Sequence, residues 1–270
     1  MLKTIFRICF ASALSFIFIL NIKADVSSKE LIFATKVGAP SLDPYNEISD
    51  ARMRRSPLIY DCLFEWTNDF GIKPALAKSW EYTGNTLKIN LRDDVLFHDG
   101  SRLTSADVFY SLNKILESPG KGFYSQIKKV NVIDKYRINI EVTTPSDALL
   151  AALGGRYAYI VKKGAVEESN LAISAIGTGP FKVEDFRQGE YLSLIKNNDY
   201  WNNKKANIDK LKIVIMPDEA SIVAGLKSGQ IHATIFEDAR IAELVKRSSN
   251  INVFEKVAAR WDILDFPALD

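Results

Sequence analysis

Two histidines and two cysteines are the residues whose chemistry can be weighed first in this 270-residue chain. His98 is followed at once by Asp99, a dipeptide that suggests a proton relay with imidazole as base and carboxylate as orienting partner. Neighbouring side chains on a strand point to opposite faces, and in a turn their mutual direction is not fixed, so adjacency supplies no nucleophile–base–acid geometry. His98 and His232 are the only histidines, and without a cysteine cluster they make a poor zinc set. Cys9 lies in an apolar N-terminal run behind Phe6-Arg7-Ile8, where a lipid-attachment signal would want small residues. Cys62 is then the only cysteine of the mature chain, has no disulfide partner, and reads as a small buried apolar side chain. No enzyme chemistry, cofactor or metal is expected.

The N-terminus assigns a compartment. Lys3 and Arg7 precede an uncharged run over 8–20, and Ile22-Lys23-Ala24 offers a small residue for cleavage, so residues 1–24 read as a secretory signal peptide. A spanning helix would need roughly 18 or more apolar residues, and this run stops at Asn21. Removing Lys3, Arg7 and Lys23 from 35 basic residues leaves 32 against 33 acidic ones, a net charge of about −1. A balanced mature chain gives no reason to expect attachment to nucleic acid or anionic lipid. At 47% hydrophobic and 25% charged residues it has the composition of an ordinary globular protein, expected in the periplasm.

The elements that must position any site follow from periodicity. Residues 31–34 read as a strand, and Gly38, Pro40 and Pro44 end regular pairing beyond it, which places a loop at a strand's carboxyl end where α/β sheets line their crevices. A helix is expected over 50–60, kinked or divided at Pro57, then a strand over 63–66. Leu87, Ile89 and Leu91 alternate with polar residues as a half-buried strand does. His98-Asp99-Gly100 is a turn, and Thr104 with Asp107 forms a capping box for a helix whose apolar face is Val108, Phe109, Leu112, Ile115 and Leu116. A hairpin over 129–133 and 137–142 follows, then a helix capped by Ser146 and broken by Gly154-Gly155. Residues 156–161 read as extended. Residues 181–186 and 191–197 form a second hairpin across a four-residue connection; 211–215 is a strand, 219–228 a helix ended by Gly229, and 231–236 a strand. The class is α/β or mixed α+β.

Several segments, in order, carry a resemblance: Leu42-Asp43-Pro44; Pro74-Ala75-Leu76-Ala77-Lys78-Ser79-Trp80; Leu91-Arg92-Asp93-Asp94-Val95 with Phe97-His98-Asp99-Gly100; Thr104-Ser105-Ala106-Asp107-Val108; Gly177-Thr178-Gly179-Pro180-Phe181; Asn198-Asp199-Tyr200-Trp201; and Pro217-Asp218 ahead of Leu226-Lys227-Ser228-Gly229. Together they resemble the peptide, oligopeptide and nickel-binding family of ABC-importer substrate-binding proteins, family 5. The resemblance implies a periplasmic-binding-protein-like first lobe, with 25–52 and 171–270 as its discontinuous core and 53–170 as an inserted smaller subdomain. It also implies a monomeric receptor that closes on a short peptide or related small solute and delivers it to the permease subunits of an importer, touching the membrane only through them.

Relatives carry a second lobe, which holds most of the residues that grip a ligand, beyond the point where this chain reaches Asp270. Either an interrupted first lobe or a shortened receptor working with a partner or a shallow site is expected; a chaperone-like binding module without transport is the alternative function. The resemblance places Tyr45 after a loop that faces the cleft. It puts Arg156 where some relatives hold a ligand carboxylate, as a guanidinium can through two parallel hydrogen bonds, the other reading being a surface ion pair. Tyr157 and Tyr159 are packing residues, with Tyr157 a candidate to stack on ligand. Trp80 and Trp201 are expected to fill the core, and Asp43 to organise its turn.

Overall fold

A computed structural model describes residues 29–38, 40–45, 50–67, 69, 71–155, 157–165, 175–203, 206–236, 238–248 and 251–254. The expected leader over 1–24 lies outside them.

The first strand, β1 (Glu30–Thr35), lies second from one edge of a five-stranded mixed sheet. It pairs in parallel with β10 (Lys210–Ile215) on one side and β11 (Ala233–Thr234) on the other. β10 continues antiparallel to β9 (Tyr191–Lys196), and β9 to β8 (Phe181–Arg187). Arg187 pairs with Tyr191, so the hairpin connection is three residues instead of four, with Gly189 at φ 78°. The last strand is shorter than its sequence pattern, because only Ala233 and Thr234 reach the ladder of β1.

Between β1 and β8 the chain builds helix α1 (Asp50–Ile59) and a two-stranded ribbon of β2 (Phe64–Trp66) and β3 (Ile72–Pro74). A four-stranded antiparallel sheet follows, ordered β4-β5-β7-β6 from β4 (Ala77–Thr83), β5 (Thr86–Leu91), β6 (Ile127–Asp134) and β7 (Arg137–Val142). α1 runs through Pro57 in its final turn. Strands β3 and β4 are additions to the sequence reading; β4 carries Lys78, Ser79, Glu81 and Thr83 on its exposed positions, and its apolar residues do not alternate cleanly.

Helix α2 (Ser105–Glu117) begins as its sequence requires: the Asp107 carboxylate accepts from the backbone N–H and the hydroxyl of Thr104, at 2.8 and 2.7 Å. Its Val108, Leu112 and Ile115 are buried together with Leu87, Ile89 and Leu91 of β5 and Ile138, Ile140 and Val142 of β7. Each such side chain contributes about 1.5–3 kcal/mol on leaving water. The same cluster continues through Phe181, Leu192, Leu194 and Leu211, so one core joins both large sheets. Helix α3 (Asp147–Leu153) is capped by Ser146, whose hydroxyl accepts from Ala148 N at 3.1 Å. Helix α4 (Glu219–Ser228) is capped by Asp218 and ends at Gly229 with φ 77°, and α5 (Ala239–Lys246) is capped by Asp238. A smaller cluster of Ala34, Ile222 and Ile231 seats α4 on the large sheet.

Candidate functional site

The loop that leaves β1 is fastened to the segment over 157–161. Asp43 makes its turn, accepting from Tyr45 N at 2.7 Å, while Asp43 N donates to Ser41 Oγ at 3.0 Å. Tyr45 is buried, and its hydroxyl donates to the carbonyl of Tyr159 at 2.7 Å. Tyr60 adds a bond to the carbonyl of Leu42 at 3.2 Å. Burial pushes the Tyr45, Tyr60 and Tyr159 hydroxyls far above their ordinary range, so they stay protonated donors.

Arg52, 1% exposed on α1, reinforces this junction by donating to the Pro44 carbonyl at 2.8 Å and lying over the Tyr157 ring at 4.2 Å. Tyr157 is itself buried, and on it stacks Phe123 at 6.1 Å with planes 22° apart. Phe123 is half exposed and was not legible as a site residue, because its neighbour Tyr157 lies far along the chain, beyond α3. Arg156 lies outside the described residues. The structure thus places Tyr45 and Tyr157 in one buried assembly, as parts that hold the loop.

At the same carboxyl edge, Lys36 binds Glu219 at 2.9 Å, and Asp218 and Asp238 cap the two helices that start there. Val37 and Ile235, just past the ends of β1 and β11, are both more than half exposed. A loop, two helix starts and open apolar side chains at the ends of parallel strands make a surface suited to binding a solute by non-covalent contacts.

His98 has a structural task. Gly177 N donates to its Nδ1 at 3.2 Å, so the ring hydrogen sits on Nε2, which donates to the Gly179 carbonyl at 3.0 Å. Desolvation lowers its pKa from 6.5 to about 4, which keeps the ring neutral. Asp99 is occupied by Lys162 and Ser101, each at 2.6 Å, and these partners help hold its carboxyl down at about 2 against the cost of burial. The two form no relay. Gly177 and Gly179 must be glycine, since a Cβ at either would meet the Ile59 carbonyl oxygen at 1.9 or 2.7 Å.

Asp61 was missed by sequence reading, and it collects three donors. Tyr200 OH reaches Oδ1 at 2.9 Å, while Thr178 Oγ1 and Trp201 Nε1 reach Oδ2 at 2.8 and 2.9 Å. Burial raises its pKa against the pull of these bonds. A cleft of about 320 Å³ opens beside it, walled by Tyr60, Phe64, Tyr159, Tyr200 and Trp201. Trp201 and Trp80 are half-buried against the main core, Trp80 meeting Phe64 edge-on at 4.8 Å. Cys62 is buried, and burial pushes its thiol pKa up. Among the described residues no group of three or more His, Cys, Asp or Glu could hold a metal, and no helix is long and apolar enough to cross a membrane.

Solved structures share this architecture. MoaA from A. tumefaciens R10, in complex with mannopinic acid, superposes with a TM-score of 0.75 at 25% identity, covering 81% of this chain and 47% of that one. NikZ from Campylobacter jejuni, in complex with Ni(L-His), gives 0.73 at 26% identity over 83% and 46%. The fold is therefore that of a periplasmic-binding-protein-like lobe, mixed α/β in class. The model of the bacterial extracellular solute-binding proteins, family 5 Middle, matches residues 71–268, and the chain belongs to that family. The glutathione-binding protein GsiB of Salmonella paratyphi A is 22% identical over 236 residues, which are 84% of this chain and 46% of the relative. The chain spans about half the length of the curated relatives it matches.

Proposed function

We propose that this chain is the first lobe of an extracytoplasmic receptor that hands peptides or related small solutes to an ABC-importer permease, exported by the leader over 1–24. The family match over 71–268 carries this reading. The fastened loop of Asp43 and Tyr45 at the carboxyl edge of β1 supports it, because such an edge is where a solute would lie. The relatives' ligands by name are glutathione, mannopinic acid and Ni(L-His), which suggests a small solute derived from amino acids.

In this reading Arg156 meets a solute carboxylate. Tyr45 and Tyr157 act at one remove, Tyr45 by fixing the loop and Tyr157 by carrying the exposed Phe123 ring. The core would comprise 25–52 and 171–270, and the inserted subdomain 53–170. Strand membership supports that division, since all five strands of the large sheet lie outside 53–170 and all six of the other sheets lie within it.

The test is uptake. Cells lacking the chain should lose import of one class of labelled peptide or amino-acid chelate and regain it when the chain is restored. Unchanged import of every class, with purified chain instead suppressing aggregation of unfolded proteins, would favour a chaperone-like module.

A further inference from the structure

The cleft beside Asp61 has a charge that its surroundings hydrogen-bond without neutralising. All three donors on the carboxylate are neutral groups, and among the described residues no cation is seen paired with it. Asp61 is partly buried, and hydrogen bonds alone recover only part of the hydration such a carboxylate gives up. Three bonds also leave one acceptor position, on Oδ1, which takes a single bond from Tyr200. Glu65 lines the same cleft, with its carboxylate held by Lys73 at 3.0 Å.

The walls are aromatic. Tyr60 and Tyr159 meet at 6.2 Å and Tyr200 and Trp201 at 5.6 Å, so two ring pairs border the opening. Ring faces attract cations, and more strongly where water is excluded; Trp201 already carries the Arg92 guanidinium at 4.8 Å, which leaves the three tyrosine rings for an occupant. A volume of about 320 Å³ is at the small end of ligand clefts and has room for a small amine. We infer that this cleft is a binding site for a small primary ammonium, whose N–H groups meet Asp61 Oδ1 and whose alkyl part lies between the rings.

The cleft borders the junction that holds the loop after β1, because Tyr60 and Tyr159 belong to both, but the inference does not rest on the solute reading. Its lining joins Phe64, Glu65, Gly155 and Tyr159 to Pro180 and Trp201, so an occupant would brace the connection between the ribbon and the large sheet. Titration calorimetry of the full chain with n-propylammonium chloride, against 1-propanol and matched sodium chloride, tests it. Saturable binding below ~50 mM by the ammonium alone is expected. Asp61→Asn should weaken it at least about tenfold. Equal binding of propanol, or no saturable binding by the parent chain, would overturn the assignment, and these two outcomes decide even if Asp61→Asn does not fold.

Discussion

The hydroxyl of Tyr45 donates to the carbonyl of Tyr159 across 114 positions of sequence, at 2.7 Å and out of contact with water. This bond ties the loop after β1 to the extended segment that follows α3. Tyr45→Phe should keep the ring's packing and strand a buried carbonyl, lowering stability by about 1–2 kcal/mol. Urea unfolding checks the value, and a loss below experimental error would show that the loop is held by other contacts.

His98 gives the chain a sensitivity to acid. Its folded pKa of about 4 lies below the ordinary 6.5, so the unfolded chain binds more protons between those values. The stability it contributes is present above pH 6.5 and is lost as pH falls toward 4, by up to about 3 kcal/mol. Asp61 acts with the opposite sign, because its raised pKa favours the folded state as pH falls. His98→Gln should flatten the profile between pH 6.5 and 4 in denaturant titrations at stepped pH. A variant as acid-sensitive as the parent would contradict the assignment.

Gly179→Ala should destabilise by about 3 kcal/mol, since its Cβ would meet backbone atoms of Ile59 at 2.5 and 2.7 Å and backbone cannot swing aside. Gly122→Ala is the control, with open space where its Cβ would go. Thermal unfolding of the pair separates steric conflict from a general effect of removing glycine.

Tyr200→Phe removes one of the three donors to Asp61 and should cost about 1–2 kcal/mol. The matching change Thr178→Val should couple to it, because both act on one carboxylate. Simple additivity in the double variant would mean that the carboxylate is not a shared acceptor.

Most local structure was legible from sequence because local rules made it. Alternation at Leu87, Ile89 and Leu91 and at Ile138 and Ile140 marked β5 and β7, and the Thr104–Asp107 pair marked the start of α2. Ser146, Asp218 and Gly229 marked helix ends by chemistry that lies within a few residues. Strand β4 escaped because its exposed face dilutes its pattern, and the strand expected over 231–236 shrank because pairing is decided by a partner two hundred positions away. Asp61 and Phe123 escaped for the same reason. Their partners at 178, 200 and 201, and at 157, lie far along the chain, and no motif in a single sequence announces such a meeting.

The central claim is that this lobe recognises a small solute at the carboxyl edge of β1. Its most direct test is thermal unfolding of the chain against a panel of short peptides, glutathione and nickel–histidine. The account predicts that one class raises the melting temperature in a concentration-dependent way, by mass action on the folded state, and that Arg156→Ala and Phe123→Ala each reduce the shift. Cooperative unfolding at one unchanged temperature across the whole panel would contradict it.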